Sequence, residues 1–428
     1  MNSKADIDIA STNLKAFSQE LEAKIGTERI IRDSLRRLAY GTDASFYRLI
    51  PELVVKVANE EQLVHCLELA DRYHVPVTFR AAGTSLSGQA VTDSVLLLLD
   101  GWRDHEILDN GQHIRLQPGI IGAAANNYLA PYQRKIGPDP ASINAAKIGG
   151  IAANNASGMC CGTKDNSYHT LRHARVVFAD GSVLDSADKA SCQRFAESHR
   201  TILEGLTNLR NNMLAKPALA EKIRHKYRLK NTTGYGLNAL LDFTDPIDIL
   251  CHLLIGSEGS LAFISDITYA TVEDPPFKAT ALVFFNEVKP TCEAVTALKS
   301  TPVMAVELID RRGLASVQDK PGIPSLIKDL PSNAAALLVE VQAMNAEDLD
   351  RKRSEVEKVL NTFDMVTPVT FETDPQKCAQ LWTVRKGLFP ALGAMRDAGT
   401  TVIIEDIAFP IEDLADGVTR LQALFDEL

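Results

Sequence analysis

One long stretch of small residues limits what this chain can fold into more than any other feature of its sequence. Residues 137–158 contain almost no large apolar side chains beyond Ile143, Ile148 and Ile151. Because glycine and alanine each bury little apolar area, such a stretch makes a poor packed core. We therefore expect its backbone to lie against a flat ligand with polar edges.

A second glycine-rich stretch, residues 83–88, follows a predicted strand at residues 77–80. Its backbone amides can converge on an anion, and the hydroxyls of Thr84 and Ser85 add donors without charge. The stretch is neither a Walker A loop nor the dinucleotide pattern Gly-x-Gly-x-x-Gly. A third stretch, residues 255–262, leads into a predicted strand at residues 263–272. Ordinary connecting turns are the alternative interpretation of the second and third stretches.

Composition narrows the class of protein. A length of 428 residues predicts two or three domains. The net charge of -10 argues against a nucleic-acid partner, which would need clustered Lys and Arg. The seven cysteines show neither CxxC nor iron–sulfur spacing, which is typical of a reducing compartment. The neighbours Cys160 and Cys161 could instead be a redox pair, although a disulfide between adjacent residues is strained.

No targeting segment or membrane span is evident. Residues 1–10 are polar and acidic, and the longest apolar run, residues 94–99, is too short to cross a bilayer. We expect a cytoplasmic protein and leave open a peripheral association with the cytoplasmic face of the inner membrane.

Periodicity predicts an N-terminal helical extension over residues 1–39, with its helical pattern at 14–39, then a mixed α/β domain at 40–273. The pair Pro275 and Pro276 marks a boundary, and residues 277–428 form an α+β domain. The final helix has no glycine cap, so we expect this second domain to be incomplete. The predicted strands are 53–57, 77–80, 263–272, 280–285, 304–308, 334–341 and 401–409, and the predicted helices after residue 39 include 60–73, 291–298, 346–360 and 411–428.

Together the three stretches resemble the p-cresol methylhydroxylase/vanillyl-alcohol oxidase (PCMH-type) flavoprotein superfamily, and within it the D-lactate, glycolate and D-2-hydroxyglutarate dehydrogenase branch. Further motifs carry the likeness: Gln117-Pro118-Gly119, Pro138-Asp139-Pro140 and Gly256-Ser257-Glu258-Gly259. Residues 40–45 (YGTDAS) are similar to large bacterial D-lactate or D-2-hydroxyglutarate dehydrogenases, in which the flavin module is fused to a C-terminal iron–sulfur region. The resemblance implies an α+β fold: a two-subdomain PCMH-type FAD-binding domain, then a ferredoxin-like α+β cap domain that is truncated here.

The resemblance also implies non-covalent FAD and assigns it residues. Those at the pyrophosphate are Gly83, Thr84, Ser85, Leu86, Gly88 and Gln89. Those lining the path towards the isoalloxazine are Pro140, Ser142, Gly149, Gly150 and Asn154, and those at the ribityl and adenosine end are Gly256, Glu258, Gly259 and Ile264. Arg80, Pro118, Gly119, Pro138, Asp139 and Gly158 complete the cofactor set. Residues 230–238 are similar to a segment near the flavin, with a surface turn as the alternative, and we expect no tether to His169 or His173.

For the substrate, the resemblance implies a small 2-hydroxy acid whose carboxylate is bound by Arg385, in a Trp-x-x-Arg motif that begins at Trp382. A solvated helix arginine is the alternative. Relatives that oxidise D-2-hydroxyglutarate carry a lysine where this chain has Ile404, which favours D-lactate, although Arg396 could bind a second carboxylate. Glu405 and Asp406 could be structural charges or catalytic groups.

The family's metal-binding histidines are missing, because the last histidine is His252. We therefore expect the divalent metal and iron–sulfur clusters only in a longer parent protein, which would pass electrons to quinone or cytochrome, and we expect this chain to bind FAD without full turnover. Two other classes stay open. One is different chemistry on the same fold, such as a sugar-lactone oxidase or an alkyl-glycerone-phosphate synthase. The other is a non-catalytic flavin or nucleotide-binding module.

Overall fold

The computed structural model describes residues 4–158, 160–232, 234–319, 324–388, 393, 396–401, 407 and 409–427. Contacts between residues divide the chain into two compact units, Met1–Glu273 and Asp274–Leu428. In the described part, no helix combines the length and the apolar character that a membrane span needs.

The first layer of unit 1 is a four-stranded sheet, in the order β1-β2-β4-β3, with two helices packed on it. β2, β3 and β4 run parallel to one another, and β1 is antiparallel to β2. The strands are β1 (Ile30–Ile31), β2 (Leu53–Val57), β3 (Val77–Arg80) and β4 (Val95–Leu99), and the helices are α1 (Lys4–Ile25), α2 (Ser34–Ala39) and α3 (Glu60–Tyr73).

The sequence explains where α3 begins and ends. The Asn59 side chain accepts a hydrogen bond from the backbone amide of Gln62, and the chain turns into a left-handed conformation at His74. The inward face of α3 includes Leu63 and Leu67, which are buried together with Phe17 of α1. The predicted bounds of β2, α3 and β3 are confirmed.

The prediction of one helical stretch over residues 14–39 is wrong. α1 ends at Ile25, and Gly26 has a φ of 91°, which breaks the helix. A 3₁₀ turn and β1 follow, so Ile30 is buried as part of a strand and not on the helix face. The apolar spacing continues through the break, which is why periodicity alone did not reveal it.

The second layer of unit 1 is a larger antiparallel sheet in the order β5-β6-β10-β8-β9, with β7 also paired to β10. β10 is the last strand of the unit and lies at the centre of this sheet. The strands are β5 (His105–Leu108), β6 (His113–Leu116), β7 (Arg134–Ile136), β8 (Leu171–Val177), β9 (Val183–Asp185) and β10 (Phe263–Glu273).

Helices cover one face of this second sheet and form the largest core, in which Tyr269, Ile114 and Leu129 are fully buried. They are α4 (Gly122–Leu129), α5 (Ile148–Asn154), α6 (Ser167–Thr170), α7 (Lys189–Ser198), α8 (Arg200–Leu214), α9 (Pro217–Lys226), α10 (Ala239–Asp242) and α11 (Pro246–Leu254).

Unit 2 contains an antiparallel sheet in the order β11-β13-β12. α12 and α14 pack on its apolar face, where Val283, Leu337 and Val339 are buried. The strands are β11 (Phe277–Phe285), β12 (Ala305–Asp310) and β13 (Ala335–Ala343), and the helices are α12 (Val288–Leu298), α13 (Arg311–Val317), α14 (Ala346–Leu360), α15 (Pro375–Lys386) and α16 (Leu414–Glu427). The predicted α+β class is confirmed, α14 has the predicted bounds, and the other predicted elements that are described here shift by a few residues. The strand predicted at residues 401–409 falls mostly outside the described residues.

Candidate functional site

The loop after β3 presents a row of free backbone amides. In the described part of the chain, the N–H groups of Gly83, Thr84, Ser85 and Leu86 donate to no protein acceptor. Gly83 has a φ of 72°, and a Cβ there would lie 2.5 Å from Nη2 of Arg80, so only glycine fits. Consecutive free amides in a turn form a concave surface that suits an anion such as a diphosphate.

The far end of this loop is held by side chains. The Ser85 hydroxyl hydrogen-bonds the Gln89 side chain and also accepts from the amide of Gln89 at 3.3 Å. Gly88 has a φ of 79°, and a Cβ there would lie 2.9 Å from the ring of Tyr47. These contacts fix the loop shape and leave the Leu86 side chain exposed.

A second turn, at Pro118 and Gly119, packs against the small-residue stretch. The amide of Gly149 donates to the carbonyl of Pro118 at 3.0 Å, and a Cβ on Gly149 would lie 2.7 Å from Pro118 Cβ. A Cβ on Gly150 would lie 3.7 Å from Cβ of Ala81, so the start of α5 approaches the loop after β3. The backbone of Gly149 thus approaches Pro118 more closely than a residue with a side chain could.

Asp139 organises the turn at the end of the small-residue stretch. Its carboxylate accepts hydrogen bonds from the amides of Cys160 at 2.9 Å and Cys161 at 3.2 Å. The residues on either side of it in the chain, Pro138 and Pro140, are buried. A Cβ on Gly158 would lie 1.8 Å from the Asp139 carbonyl oxygen. Ser142 lies one turn further along, and its carbonyl accepts from the amides of residues 145 and 146.

The adjacent cysteines show no redox character here. Cys160 and Cys161 are not joined in a disulfide. Burial and the nearby Asp139 charge raise the pKa of the Cys161 thiol to about 11, which keeps it protonated and unreactive at neutral pH. This geometry favours a structural role for the pair.

The third stretch docks on the end of α5. The amide of Gly256 donates to the Ala152 carbonyl at 3.2 Å, and that of Glu258 to the Ala153 carbonyl at 2.9 Å. The Asn154 amide group donates to the Glu258 carboxylate at 2.6 Å. Burial raises the pKa of Glu258, while the hydrogen bond from Asn154 opposes that shift. The third stretch is therefore bonded directly to the second.

Gly259 and Ile264 differ in what they offer a ligand. Gly259 has a φ of 75° and lies against Phe79 of β3, with 3.1 Å between an added Cβ and the ring. The side chain of Ile264 is buried in the core, so only its main chain is available to a ligand. Unit 1 thus brings the three glycine-rich stretches and the Pro118 turn into one continuous surface.

A narrow cavity of about 20 Å³ lies beside this surface, between residues 155–169 and the segment predicted at 230–238. This volume has room for one or two water molecules. Tyr168 donates to Asp242 at 2.8 Å along one wall, and the buried Oδ1 of Asn238 has no protein partner among the described residues. His169 also lines the cavity, whereas His173 lies on β8, within electrostatic reach of Asp248.

Sequence analysis missed two contributors to this surface. The half-buried Lys147 immediately precedes α5 and donates to the Leu99 carbonyl at 3.3 Å, and burial lowers its pKa. Residues 40–47 pack along the loop after β3. The Ala44 amide donates a hydrogen bond to the Gly83 carbonyl at 3.1 Å. The position of Lys147, directly before Ile-Gly-Gly, could have identified it from the sequence. The contact of residues 40–47 with the loop after β3 has no local sequence pattern that would predict it.

Unit 2 contains the predicted carboxylate-binding residue. α15 lies on the polar side of the sheet, where Nε of Arg385 donates to Glu307 of β12 at 2.6 Å. Among the described residues, the two terminal nitrogens of Arg385 donate to no protein atom. One edge of the guanidinium is therefore fixed, and its forked end, which has no partner among the described residues, has the geometry that a carboxylate binds.

Trp382 anchors the same helix. Its indole nitrogen donates to the buried carboxylate of Glu340, which also accepts from Thr280 at 3.1 Å and Gln342 at 2.5 Å. The Trp-x-x-Arg motif thus faces the sheet through both of its named residues. This explains why the two side chains lie one helical turn apart.

The remaining predicted substrate residues are less informative. Arg396 donates to the carbonyls of Gly393 at 2.7 Å and Thr400 at 2.8 Å, so two of its nitrogens are engaged in its own loop. Ile404, Glu405 and Asp406 lie outside the described residues. Within the described ranges, no group of three or more His, Cys, Asp or Glu could hold a metal ion.

Two family models match the chain, one in each compact unit. The first, described as an FAD binding domain, matches residues 51–187. The second, described as the C-terminal domain of FAD linked oxidases, matches residues 274–428.

Curated relatives of this chain include proteins with three different names. The chain is 28% identical over 398 residues to the glycolate oxidase subunit GlcD of Escherichia coli K12, covering 89% of this chain and 66% of that protein. It is 22% identical over 419 residues to D-2-hydroxyglutarate dehydrogenase of Haemophilus influenzae, covering 91% of this chain and 40% of that protein. It is 23% identical over 382 residues to the mitochondrial D-lactate dehydrogenase [cytochrome] of Arabidopsis thaliana, covering 88% and 56%. The chain therefore spans only part of the length of each relative.

Solved structures share the fold. An alkyldihydroxyacetonephosphate synthase superposes with a TM-score of 0.62 at 16% identity, covering 89% of this chain and 64% of that chain. p-Cresol methylhydroxylase with bound substrate superposes with a TM-score of 0.61 at 15% identity, covering 86% and 69%. At this identity the likeness concerns the fold alone, and it confirms the fold expected from the sequence.

Proposed function

This chain belongs to the flavoproteins that join an FAD binding domain to the C-terminal domain of FAD linked oxidases, and on that premise we propose that it is an FAD-dependent dehydrogenase of D-2-hydroxy acids. D-lactate is our favoured substrate, with D-2-hydroxyglutarate and glycolate as the alternatives. The product is the 2-oxo acid. This proposal assigns residues 40–273 to the cofactor and 277–428 to the substrate.

The surface of unit 1 fits FAD on its own geometry. Four consecutive free amides suit a diphosphate, and the close approach of Gly150 to Ala81 leaves backbone, without side chains, for a planar group to lie against. We propose that FAD is held there non-covalently by the residues that the sequence predicted. When bound, FAD supplies the two-electron acceptor for the hydrogen on the substrate α-carbon.

One observation in the structure carries the substrate class, namely the free fork of Arg385. Glu307 holds Nε of this guanidinium at 2.6 Å, which orients the two terminal nitrogens without occupying them. A carboxylate binds such a fork through two parallel hydrogen bonds, and a lysine cannot reproduce that arrangement. We assign Arg385 to the carboxylate shared by all 2-hydroxy acids. It therefore does not discriminate D-lactate from the alternatives.

The electron acceptor belongs to the same proposal. The names of relatives include a cytochrome-linked D-lactate dehydrogenase, which supports a non-NAD acceptor such as quinone or cytochrome. An iron–sulfur region and a divalent metal would be supplied by a longer parent protein. A cytoplasmic location, with peripheral attachment to the inner membrane, is part of this proposal.

The test is anaerobic mixing of the FAD-loaded longer parent protein with D-lactate, L-lactate, glycolate and D-2-hydroxyglutarate, while the visible absorbance of the oxidised flavin is followed. We expect rapid bleaching by one D-2-hydroxy acid and none by L-lactate, because hydride transfer needs the α-hydrogen on the correct face. Bleaching by D-2-hydroxyglutarate alone would replace D-lactate as the substrate. If FAD binds but none of the acids bleaches it, the dehydrogenase assignment is wrong.

A further inference from the structure

Residues 40–49 form a second wall along the loop after β3. Leu49 donates its amide to the Gly41 carbonyl at 3.1 Å, and Thr42 pairs with Arg48 as an antiparallel bridge, so the segment closes on itself. Ala44 then bonds the Gly83 carbonyl, as described above. The wall is therefore attached to the loop that carries the free amides.

Arg80 holds this wall in place through hydrogen bonds to its backbone. Its Nη1 donates to the carbonyls of Tyr40 at 3.1 Å and Thr42 at 2.8 Å, and the guanidinium lies 5.8 Å from the centre of the Tyr40 ring. Burial lowers the pKa of the Arg80 guanidinium, and the nearby Asp43 carboxylate acts in the opposite direction. Asp43 therefore lies within electrostatic reach of the residue on which Gly83 rests.

One carboxylate oxygen of Asp43 accepts no hydrogen bond from the described residues. Its Oδ1 accepts from the amide of Ser45 at 2.8 Å, which is a local turn. Its Oδ2 is buried and has no hydrogen-bond partner in the described residues. A buried carboxylate oxygen without a donor is costly, and the next residue, Ala44, bonds the loop of free amides, so a ligand held on that loop could supply the missing donor.

We propose that Asp43 is a cofactor-binding residue, whose Oδ2 accepts a hydrogen bond from a hydroxyl group of bound FAD. A diphosphate has no proton to donate at neutral pH and would be repelled by a second anion. The ribityl chain and the adenosine ribose of FAD both carry hydroxyl donors, and an O–H to carboxylate bond is among the stronger hydrogen bonds in proteins. The amide row takes the phosphates, and Asp43 takes an adjoining sugar alcohol.

The discriminating variant is Asp43→Asn, because an Asn can keep an oxygen for the Ser45 amide and replaces Oδ2 by a donor. FAD is titrated into the apoprotein, and its dissociation constant is read from quenching of flavin fluorescence. We expect binding roughly 10- to 100-fold weaker, the range for a lost hydrogen bond to a charged group. Asp93→Asn, an exposed residue just beyond the same loop, removes the same charge and is expected to bind FAD normally.

Thermal unfolding of the apoprotein separates binding from folding. Asp43→Asn is expected to leave the midpoint of thermal unfolding of the apoprotein unchanged. If this variant does not fold, Asp43→Ser is used instead, because serine also keeps an acceptor for the Ser45 amide. Titrations with ADP and FMN show which sugar is bound, since weaker ADP binding points to the ribose and weaker FMN binding to the ribityl chain. FAD binding that is unchanged or tighter in a folded Asp43 variant overturns the proposal. The assay needs no turnover, so it stands apart from the identity of the substrate.

Discussion

The proposed cofactor surface of unit 1 and the proposed carboxylate site of unit 2 are built by opposite means. In unit 1, glycines at residues 83, 149 and 150 remove side chains so that backbone amides and bare main chain face the ligand. In unit 2, a single long side chain, Arg385, is aimed by a second one, Glu307, across a sheet. The first site depends on positions that have no side chain, and the second depends on a pair of side chains that are far apart in the sequence. They should therefore fail under different substitutions.

The largest effect is expected from adding one methyl group to the backbone-built site. In Gly119→Ala the new Cβ would lie 2.0 Å from the Gly101 carbonyl oxygen and 2.7 Å from that of Trp102. Because backbone must shift to relieve this clash, we expect a loss of about 3 kcal/mol in the free energy of unfolding, with FAD binding lost as well. Urea unfolding and FAD titration measure the two effects.

Gly205→Ala is the matched control for this prediction. Gly205 lies in α8 with no atom within 4 Å of an added Cβ, so helix propensity should leave stability equal or raise it by up to about 1 kcal/mol. Equal stability of the Gly119 and Gly205 variants would contradict the view that close backbone packing builds the site.

The side-chain-built site is expected to show a smaller and purely functional loss. Arg385→Lys keeps the charge but loses the fork and the fixed edge on Glu307. We expect the second-order rate of flavin reduction by the 2-hydroxy acid to fall roughly 100-fold, with FAD affinity unchanged. Stopped-flow reduction measures the rate. Arg351→Lys, in a surface ion-pair cluster on α14, is the control, and a similar rate in both variants would refute the assigned role.

The smallest effect concerns the open face of the second sheet in unit 1. Burial raises the pKa of Asp266 to about 6, since it outweighs the Arg115 charge 3.5 Å away, and Asp185 adds to the rise. The folded state therefore holds this proton more tightly than the unfolded chain, in which the aspartate has its ordinary pKa of 3.8. Stability associated with Asp266 is full below pH 3.8 and is lost as the pH rises towards about 6.

Asp266→Asn should remove that pH dependence. After allowance for solvent screening, we expect the variant to be more stable than the parent by on the order of 1 kcal/mol at neutral pH and equal to it in acid. Urea unfolding at both pH values provides the measurement, and Asp71→Asn on exposed α3 surface is the control. A variant that loses stability at neutral pH would show that the Arg115 pair outweighs the burial cost.

Sequence predicted the parts of this molecule that depend on local chemistry. The amphipathic spacing and the Asn59 cap define α3, and the glycine pattern located the loop at residues 83–88. Gly26 escaped because a single glycine is tolerated inside many helical patterns, and its effect shows only in its φ of 91°.

Partnerships between distant residues were beyond the same methods. Glu307 and Arg385 are 78 positions apart, and Asn154 and Glu258 are 104 apart. The sequence around each of these residues does not indicate its partner, because the pairing is determined by how strands and helices pack. Arg385 was found through resemblance, whereas the residue that aims it was not found at all.

The central position of β10 has a consequence for biosynthesis. β10 (Phe263–Glu273) pairs with β6, β7 and β8. These three earlier strands cannot complete their hydrogen bonds until this last strand of the unit has been synthesised. During translation the sheet exposes unpaired edges until that strand has left the ribosome, and such edges promote association between nascent chains. We therefore expect the second sheet to be completed late in the synthesis of this unit, and its unpaired strands to need protection by a chaperone until then.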